Sequence, residues 1–221
     1  MLAYHNDPAV RKMFIDRVEA HAKADEITKG TYWKNGKGCA FGCMFHSDDY
    51  RLAETEAGIP VALARLQDRI FEGLEKAKAK KWVVDFPSAI KTGQDLSLVS
   101  WQFLYWLQKE NLKNAKKQKM PQDVIAAIKQ CIDVLYPLTK GLKVDVNAAQ
   151  LSAEAAEWSA WAAAWSKSAK SAEAAVQAAT WAKSAAAAEA AAWTAAWAYE
   201  EMAKKLLLLI QQAPMPERKP R

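Results

Sequence analysis

The segment Gly30-Thr-Tyr-Trp-Lys-Asn-Gly-Lys-Gly-Cys-Ala-Phe-Gly-Cys-Met-Phe-His46 holds the densest set of residues in this chain that could do chemistry. Cys39, Cys43 and His46 are each good zinc donors, but Cys-x-x-x-Cys-x-x-His supplies three ligands at a spacing unlike the common structural sites. A fourth would have to come from His21, Asp25, Glu54 or Glu56, so no metal or other cofactor is expected. One thiol could instead serve as a nucleophile activated by His46 or His21, because a thiolate needs a base or a positive charge beside it. The plainer role for both thiols is burial, pinning a glycine-rich loop.

The same loop has the parts of an anion site. Gly36, Gly38 and Gly42 could let successive backbone N–H groups converge, Lys34 and Lys37 add charge, and Tyr32 and Trp33 offer flat faces for stacking. It matches neither a Walker loop nor a dinucleotide fingerprint, since no Gly-Lys-Ser/Thr and no Gly-x-Gly-x-x-Gly is present. His21 and Asp25, four residues apart on a predicted helix, share a face and could form a general base with its orienting carboxylate, or a purely structural pair. Asp68 and Glu72 repeat that spacing beside Arg65 and Arg69, which reads as an ion-pair face rather than an acid/base pair.

These residues need elements to position them. Asp7-Pro8 is a helix start, a capping carboxylate followed by proline at the first helical position, and the helix is expected to run to about Thr28 with Val10, Phe14 and Val18 inward. Gly30 to Gly42 forbids stable helix and leaves a loop over 29–46. Helical spacing returns at Ser47-Asp48-Asp49 and again through Leu63, Leu66, Ile70, Phe71 and Leu74. Asp85-Phe-Pro87 is expected to open a further short helix, Asp95 to cap one carrying Leu96 to Leu107, and Pro121 to begin another with the stripe Val124, Ile125, Ile128, Cys131, Ile132 and Leu135, closed by Pro137 and Gly141. No run shows sustained strand alternation, apart from scraps of extended chain near Lys143 to Val146. The fold class is all-α, a multi-helix globular bundle.

From Ala148 to Gln212 there is neither glycine nor proline, and alanine is the best helix former. A sixteen-residue phrase recurs here: Glu157, Trp161, Trp165; Glu173, Gln177, Trp181; Glu189, Trp193, Trp197. As one straight helix this stretch would be ~100 Å long, so it is expected to fold back near Ser166 to Ser171 and near Ser184 into a layer packed on the rest. The tryptophans then fill the space between layers, with a ligand groove or an oligomer surface as the competing roles. Domains follow: 1–145 as a helical domain carrying the loop, 146–212 as the alanine- and tryptophan-rich layer, and 213–221 as a basic tail.

Half the residues are apolar and a quarter charged, which is globular rather than disordered; the formal charge of +6 comes mainly from lysine runs. Such runs read as solvated helix faces before they read as nucleic-acid contacts, although nucleic acid stays open as a partner. No apolar run reaches the ~18 residues of a membrane span, no signal-peptide pattern opens the chain, and three cysteines fit a reducing compartment. A cytoplasmic protein is expected, with oligomerisation open.

Gly30-Thr-Tyr-Trp, Gly38-Cys-Ala-Phe-Gly-Cys followed by His46, Glu56-Ala-Gly-Ile-Pro60, Asp68-Arg-Ile-Phe-Glu-Gly-Leu74 and Asp95-Leu-Ser together resemble an uncharacterised family of bacterial and phage-borne proteins, over roughly residues 1–110. The alanine-rich part is more loosely similar to helical immunity proteins of bacterial toxin systems. The resemblance implies a role in conflict between bacteria, phages or toxins and carries over no activity. The residues themselves point to a helical binding protein for a small anionic ligand, a nucleotide among them, or for a partner protein; the alternative is a hydrolase dependent on Cys/His or zinc. If the repeat is packing, Trp165→Ala or Trp197→Ala should cost ~3–5 kcal/mol in a thermal or denaturant melt. Unchanged stability with lost ligand binding would make the repeat a groove instead.

Overall fold

The computed structural model describes residues 1–117, 119, 122–142 and 185–216. These are mostly helical with a small two-stranded hairpin: α1 (Pro8–Lys23), β1 (Trp33–Lys34), β2 (Lys37–Gly38), α2 (Ala40–Phe45), α3 (Leu52–Ala57), α4 (Val61–Gly73), α5 (Lys76–Ala89), α6 (Val99–Lys117), α7 (Gln122–Leu138) and α8 (Ala185–Gln212). Among the described residues no helix is long and apolar enough to cross a membrane. The first two repeats, the reversal near Ser166, the extended scraps near Lys143 and the basic end of the chain lie outside the described residues. Glu189, Trp193 and Trp197 of the third repeat fall within α8.

The chain divides into two compact units, Met1–Ser100 with Tyr199–Arg221, and Trp101–Ala198. In the first, α1 packs on α5 and α2, and α2 on α4. Phe14 and Val18 of α1, Phe41 and Met44 of α2, Leu63, Ile70 and Phe71 of α4, Trp82 and Phe86 of α5, and Leu206 and Ile210 of α8 are all buried. Such side chains contribute about 1.5–3 kcal/mol each on burial. In the second unit Ala115, Ile125 and Ile128 form a small core with Leu112 and Ile132 against it, and Cys131 is half-buried rather than part of that core.

Helix ends are where polar groups must find partners. Asp7 caps α1 as its sequence requires, its carboxylate accepting from Ala9 N–H at 2.7 Å. α5 runs on through Pro87 instead of restarting there, and the N-terminal turn and α1 cover its terminal carbonyls: Tyr4 Oη, ahead of α1, donates to Pro87 O at 2.8 Å, and Arg11 of α1 to Ser88 O and Ile90 O at 2.9 Å each. The end of α8 is closed by the buried amide of Gln94, which donates to Ile210 O at 2.6 Å and Ala213 O at 2.8 Å.

The loop after α1 is more ordered than glycine content alone implies. Asn35 (φ 53°) and Gly36 (φ 79°) form the left-handed turn of a hairpin pairing Trp33 with Gly38 and Lys34 with Lys37. Asn-Gly is the strongest short hairpin signal a sequence carries. A third piece of chain joins it: Gly38 N–H donates to Glu26 O at 3.1 Å and Thr28 N–H to Gly38 O at 2.8 Å. The Tyr32 carbonyl lies 2.1 Å from where a Cβ on residue 38 would be and 1.5 Å from one on residue 42. Both positions must be glycine. Gly36 has open space instead, and only its positive φ favours glycine. Gly42→Ala should therefore destabilise by about 3 kcal/mol or more, and Gly36→Ala by about 1 kcal/mol, in urea unfolding; equal losses would place the Tyr32 carbonyl elsewhere.

Candidate functional site

α1 stops at Lys23, five residues short of its expected end, because Asp25 takes a left-handed conformation (φ 55°) and Glu26 N–H turns back to His21 O at 3.0 Å. This is a Schellman closure with aspartate where glycine is usual. It decides which carboxylate meets the histidine. Asp25 is swung out to Lys80, while Glu26 is folded over the last turn and its Oε2 lies 2.6 Å from His21 Nδ1. The partner of His21 is therefore Glu26, not the Asp25 that helical spacing would choose.

His21 Nε2 in turn meets His46 Nε2 at 2.8 Å. His46 sits just past α2, itself left-handed (φ 53°), with its N–H on Gly42 O at 2.8 Å. Trp33 stacks on its ring at 4.2 Å and 15° between planes, and meets His21 edge-on at 5.2 Å. Arg17, one turn before His21 on α1, donates to Met44 O at 2.8 Å and puts a guanidinium charge near His46. Glu26, His21 and His46 thus form a continuous chain of hydrogen bonds that begins half-buried and ends on an exposed imidazole. A carboxylate accepts from His21 Nδ1–H, so in the neutral chain His21 Nε2 carries a lone pair and His46 Nε2 carries the shared proton. His46 Nδ1 is then left with its lone pair and has no protein hydrogen bond among the described residues.

The thiols are not part of this chain. Cys39 caps α2, its sulfur accepting from Gly42 N–H at 3.4 Å, and burial followed by the nearby Asp68 charge pushes it far above the ordinary thiol range. Cys43 donates to Gly38 O at 3.3 Å and is pushed up to about 12, mainly by burial. Both are neutral packing groups at physiological pH, and the thiolate nucleophile considered from sequence has no support here. Among the described residues no group of three or more His, Cys, Asp or Glu side chains is placed to hold a metal ion. Two of the three glycine amides are also occupied, Gly38 N–H by Glu26 O and Gly42 N–H by Cys39 Sγ. They do not converge on an open anion cradle.

The charged and aromatic residues of the loop fall into two groups. Lys34 and Lys37 are direct cross-strand partners, so the register sets them on the opposite face of the hairpin from Trp33. On the lysine side, Asp25 is 76% exposed and paired with Lys80, and the charges of Lys76 and Lys37 further lower its pKa after the hydrogen bond to Lys80 itself. Tyr32 stays 48% exposed and touches Tyr50 edge-on at 6.0 Å.

Asp68 and Glu72, expected as an ion-pair face, anchor the loop instead. Asp68 is buried and accepts from Phe41 N–H at 3.2 Å and Tyr50 Oη at 2.7 Å; Glu72 accepts from Gly30 N–H at 3.0 Å. Glu26, Arg17 and Lys80 were missing from the sequence-level site. Only the Schellman turn could have pointed to Glu26, and it needs a left-handed non-glycine residue that no spacing announces. No family model, curated protein or solved structure matches the chain.

His46 lies below the ordinary histidine value of 6.5 because of burial first, then the Arg17 and His21 charges, against the opposing pull of Glu26. The folded state thus disfavours its charged form, and the unfolded chain binds more protons just below that value. Stability present above pH 6.5 is lost as pH falls through the lower folded value. Urea midpoints should fall on acidification from roughly pH 7 to 5 more steeply in the wild type than in His46→Asn; parallel curves would remove His46 from the acid response.

Proposed function

We propose that the protein binds a small anionic ligand, with a phosphate group and a flat moiety, on the lysine face of the hairpin, and that the alanine- and tryptophan-rich repeat is scaffold. The observation that carries this reading is Asp25, an exposed carboxylate held by Lys80 with Lys76 and Lys37 around it. The cluster already holds an anion supplied by the chain, and a phosphate of higher charge can compete for the same ammonium groups. Lys34 extends the cluster across the hairpin, and Tyr32 supplies an exposed ring for stacking. Burial of the thiols weakens the cysteine-dependent hydrolase, since no thiolate is available to it.

Asp25→Asn tests the reading sharply. Asparagine tolerates the left-handed turn, so the backbone stays in place while Lys80 is released. Calorimetric titration with pyrophosphate and with a nucleoside diphosphate should show a few-fold gain in affinity. Replacing Lys34 and Lys37 together by alanine should weaken binding about tenfold and flatten its salt dependence, at ~1 kcal/mol or less for each exposed charge. Lys12 and Lys204, each paired with a carboxylate on its own helix, are the control pair. Weaker binding in Asp25→Asn, or equal losses from both lysine pairs, would defeat the assignment.

A further inference from the structure

The Glu26–His21–His46 chain stands on the other face of the hairpin from the lysine cluster and is not used by the proposed binding site. We propose that it is an acid–base centre for hydrolysis of phosphate esters, with His46 as the catalytic residue and with His21 and Glu26 positioning it.

Three features of the geometry carry this. The Nε2–Nε2 contact at 2.8 Å requires one proton between the rings, so the tautomer of each ring is determined by the other, and Glu26 orients both by accepting from His21 Nδ1–H at 2.6 Å. Trp33 holds the terminal ring by stacking at 4.2 Å, while His46 remains exposed. The left-handed backbone at His46 is the kind of local strain that packing must enforce, here through the helix-end bond to Gly42 O and the Trp33 stack. A buried structural histidine would not need an open nitrogen at the end of such a chain.

The chemistry follows from proton positions. His46 Nδ1 takes a proton from water as the water oxygen forms a bond to phosphorus and the bond from phosphorus to the ester oxygen breaks. The positive charge so created spreads along the chain when the shared proton moves to His21 Nε2, leaving an imidazolium hydrogen-bonded to the Glu26 carboxylate. The shared proton returns to His46 Nε2 as His46 Nδ1 gives its own proton to the departing alkoxide, and the neutral chain is restored; an aryloxide departs as the anion, and His46 Nδ1 then releases its proton to bulk water. Water and ester give phosphate and alcohol with every atom accounted for. Phosphate is favoured over a carboxylic ester because the cationic group beside His46 is the guanidinium of Arg17, which suits phosphate oxygens, while the amide N–H of Phe41 at the start of α2 is already taken by Asp68.

The test is turnover of bis(p-nitrophenyl) phosphate and p-nitrophenyl phosphate by the full chain. We expect His46→Asn, whose left-handed backbone asparagine tolerates, to lower kcat/KM at least ~100-fold with melting temperature kept. His46→Gly, the residue that backbone prefers, replaces it should the asparagine variant unfold. Glu26→Gln should move the acidic limb of the pH profile to lower pH, because the imidazolium loses its counter-charge while Arg17, His21 and His46, the other ionisable groups there, stay in place. A purely structural Glu26 would change the melting temperature and leave that limb where it was. Wild-type turnover no faster than buffer, turnover that survives loss of the His46 ring, or an unmoved limb in Glu26→Gln overturns the proposal. Pyrophosphate titration of the same samples reports on the lysine face separately, so binding without turnover would sink the acid–base centre alone.

Discussion

A single buried carboxylate holds the loop to the helical scaffold. Asp68 lies on the inner face of α4, and one of its oxygens accepts the Phe41 N–H at the start of α2 while the other accepts the Tyr50 hydroxyl. The negative charge lies at the positive end of a short helix, where its field and its hydrogen bonds act together. Removing it would leave the buried Phe41 N–H unpaired, at about 1–3 kcal/mol, and free the half-buried Tyr50 hydroxyl. Everything that His46 does depends on α2 staying there, because His46 is the residue that ends it. Glu72, one turn further along α4, holds Gly30 in the same way at the loop's other end.

Around these two anchors the backbone is bent at positions where glycine is usual. Asp25, Asn35 and His46 all have φ near +55° without being glycine. Asparagine, aspartate and histidine are the non-glycine residues that adopt such a turn most readily, although it is uncommon for any of them. Each of these bends aims a functional group: Asp25 sends its carboxylate to Lys80 and delivers Glu26 to His21, Asn35 turns the hairpin so that Trp33 returns over His46, and His46 points its ring at His21. Strain at these positions costs about 1–3 kcal/mol each and is offset by the core beneath, where Phe14, Phe41 and Phe45 pack ring against ring at 4.6–5.1 Å.

Helices with amphipathic stripes were legible in the sequence, as were the Asp7-Pro8 start of α1 and the buried faces of α1 and α4, because periodicity and capping are local properties. The concentration of special residues in 30–46 was legible too. What escaped was non-local or depended on a single unusual dihedral. The Asn35-Gly36 turn is readable from residue types, although it sits among four closely spaced glycines. The exchange of Asp25 for Glu26 was not readable, because four-residue spacing assumes that a helix continues and this one ends in a closure normally marked by glycine. Asp68 shows the same limit from another side: its spacing to Glu72 predicts a surface pair, and only tertiary packing reveals that both carboxylates face the loop.

The contrast between sulfur and nitrogen in this loop then decides where chemistry can reside. Both cysteines and His46 are close in sequence, and a motif-level view treats them as one constellation. Burial separates them, since it disfavours the charged form of each, and for a thiol that charged form is the reactive one whereas for an imidazole the neutral form is the base. Loss of solvation therefore raises the two thiols and silences them, while it lowers His46 and keeps its neutral form available. An exposed imidazole supported by a second histidine and a carboxylate keeps its neutral form in an environment that leaves its neighbouring thiols buried and protonated, so the pattern of one histidine and two cysteines is better understood as one accessible nitrogen on a packed, sulfur-lined base.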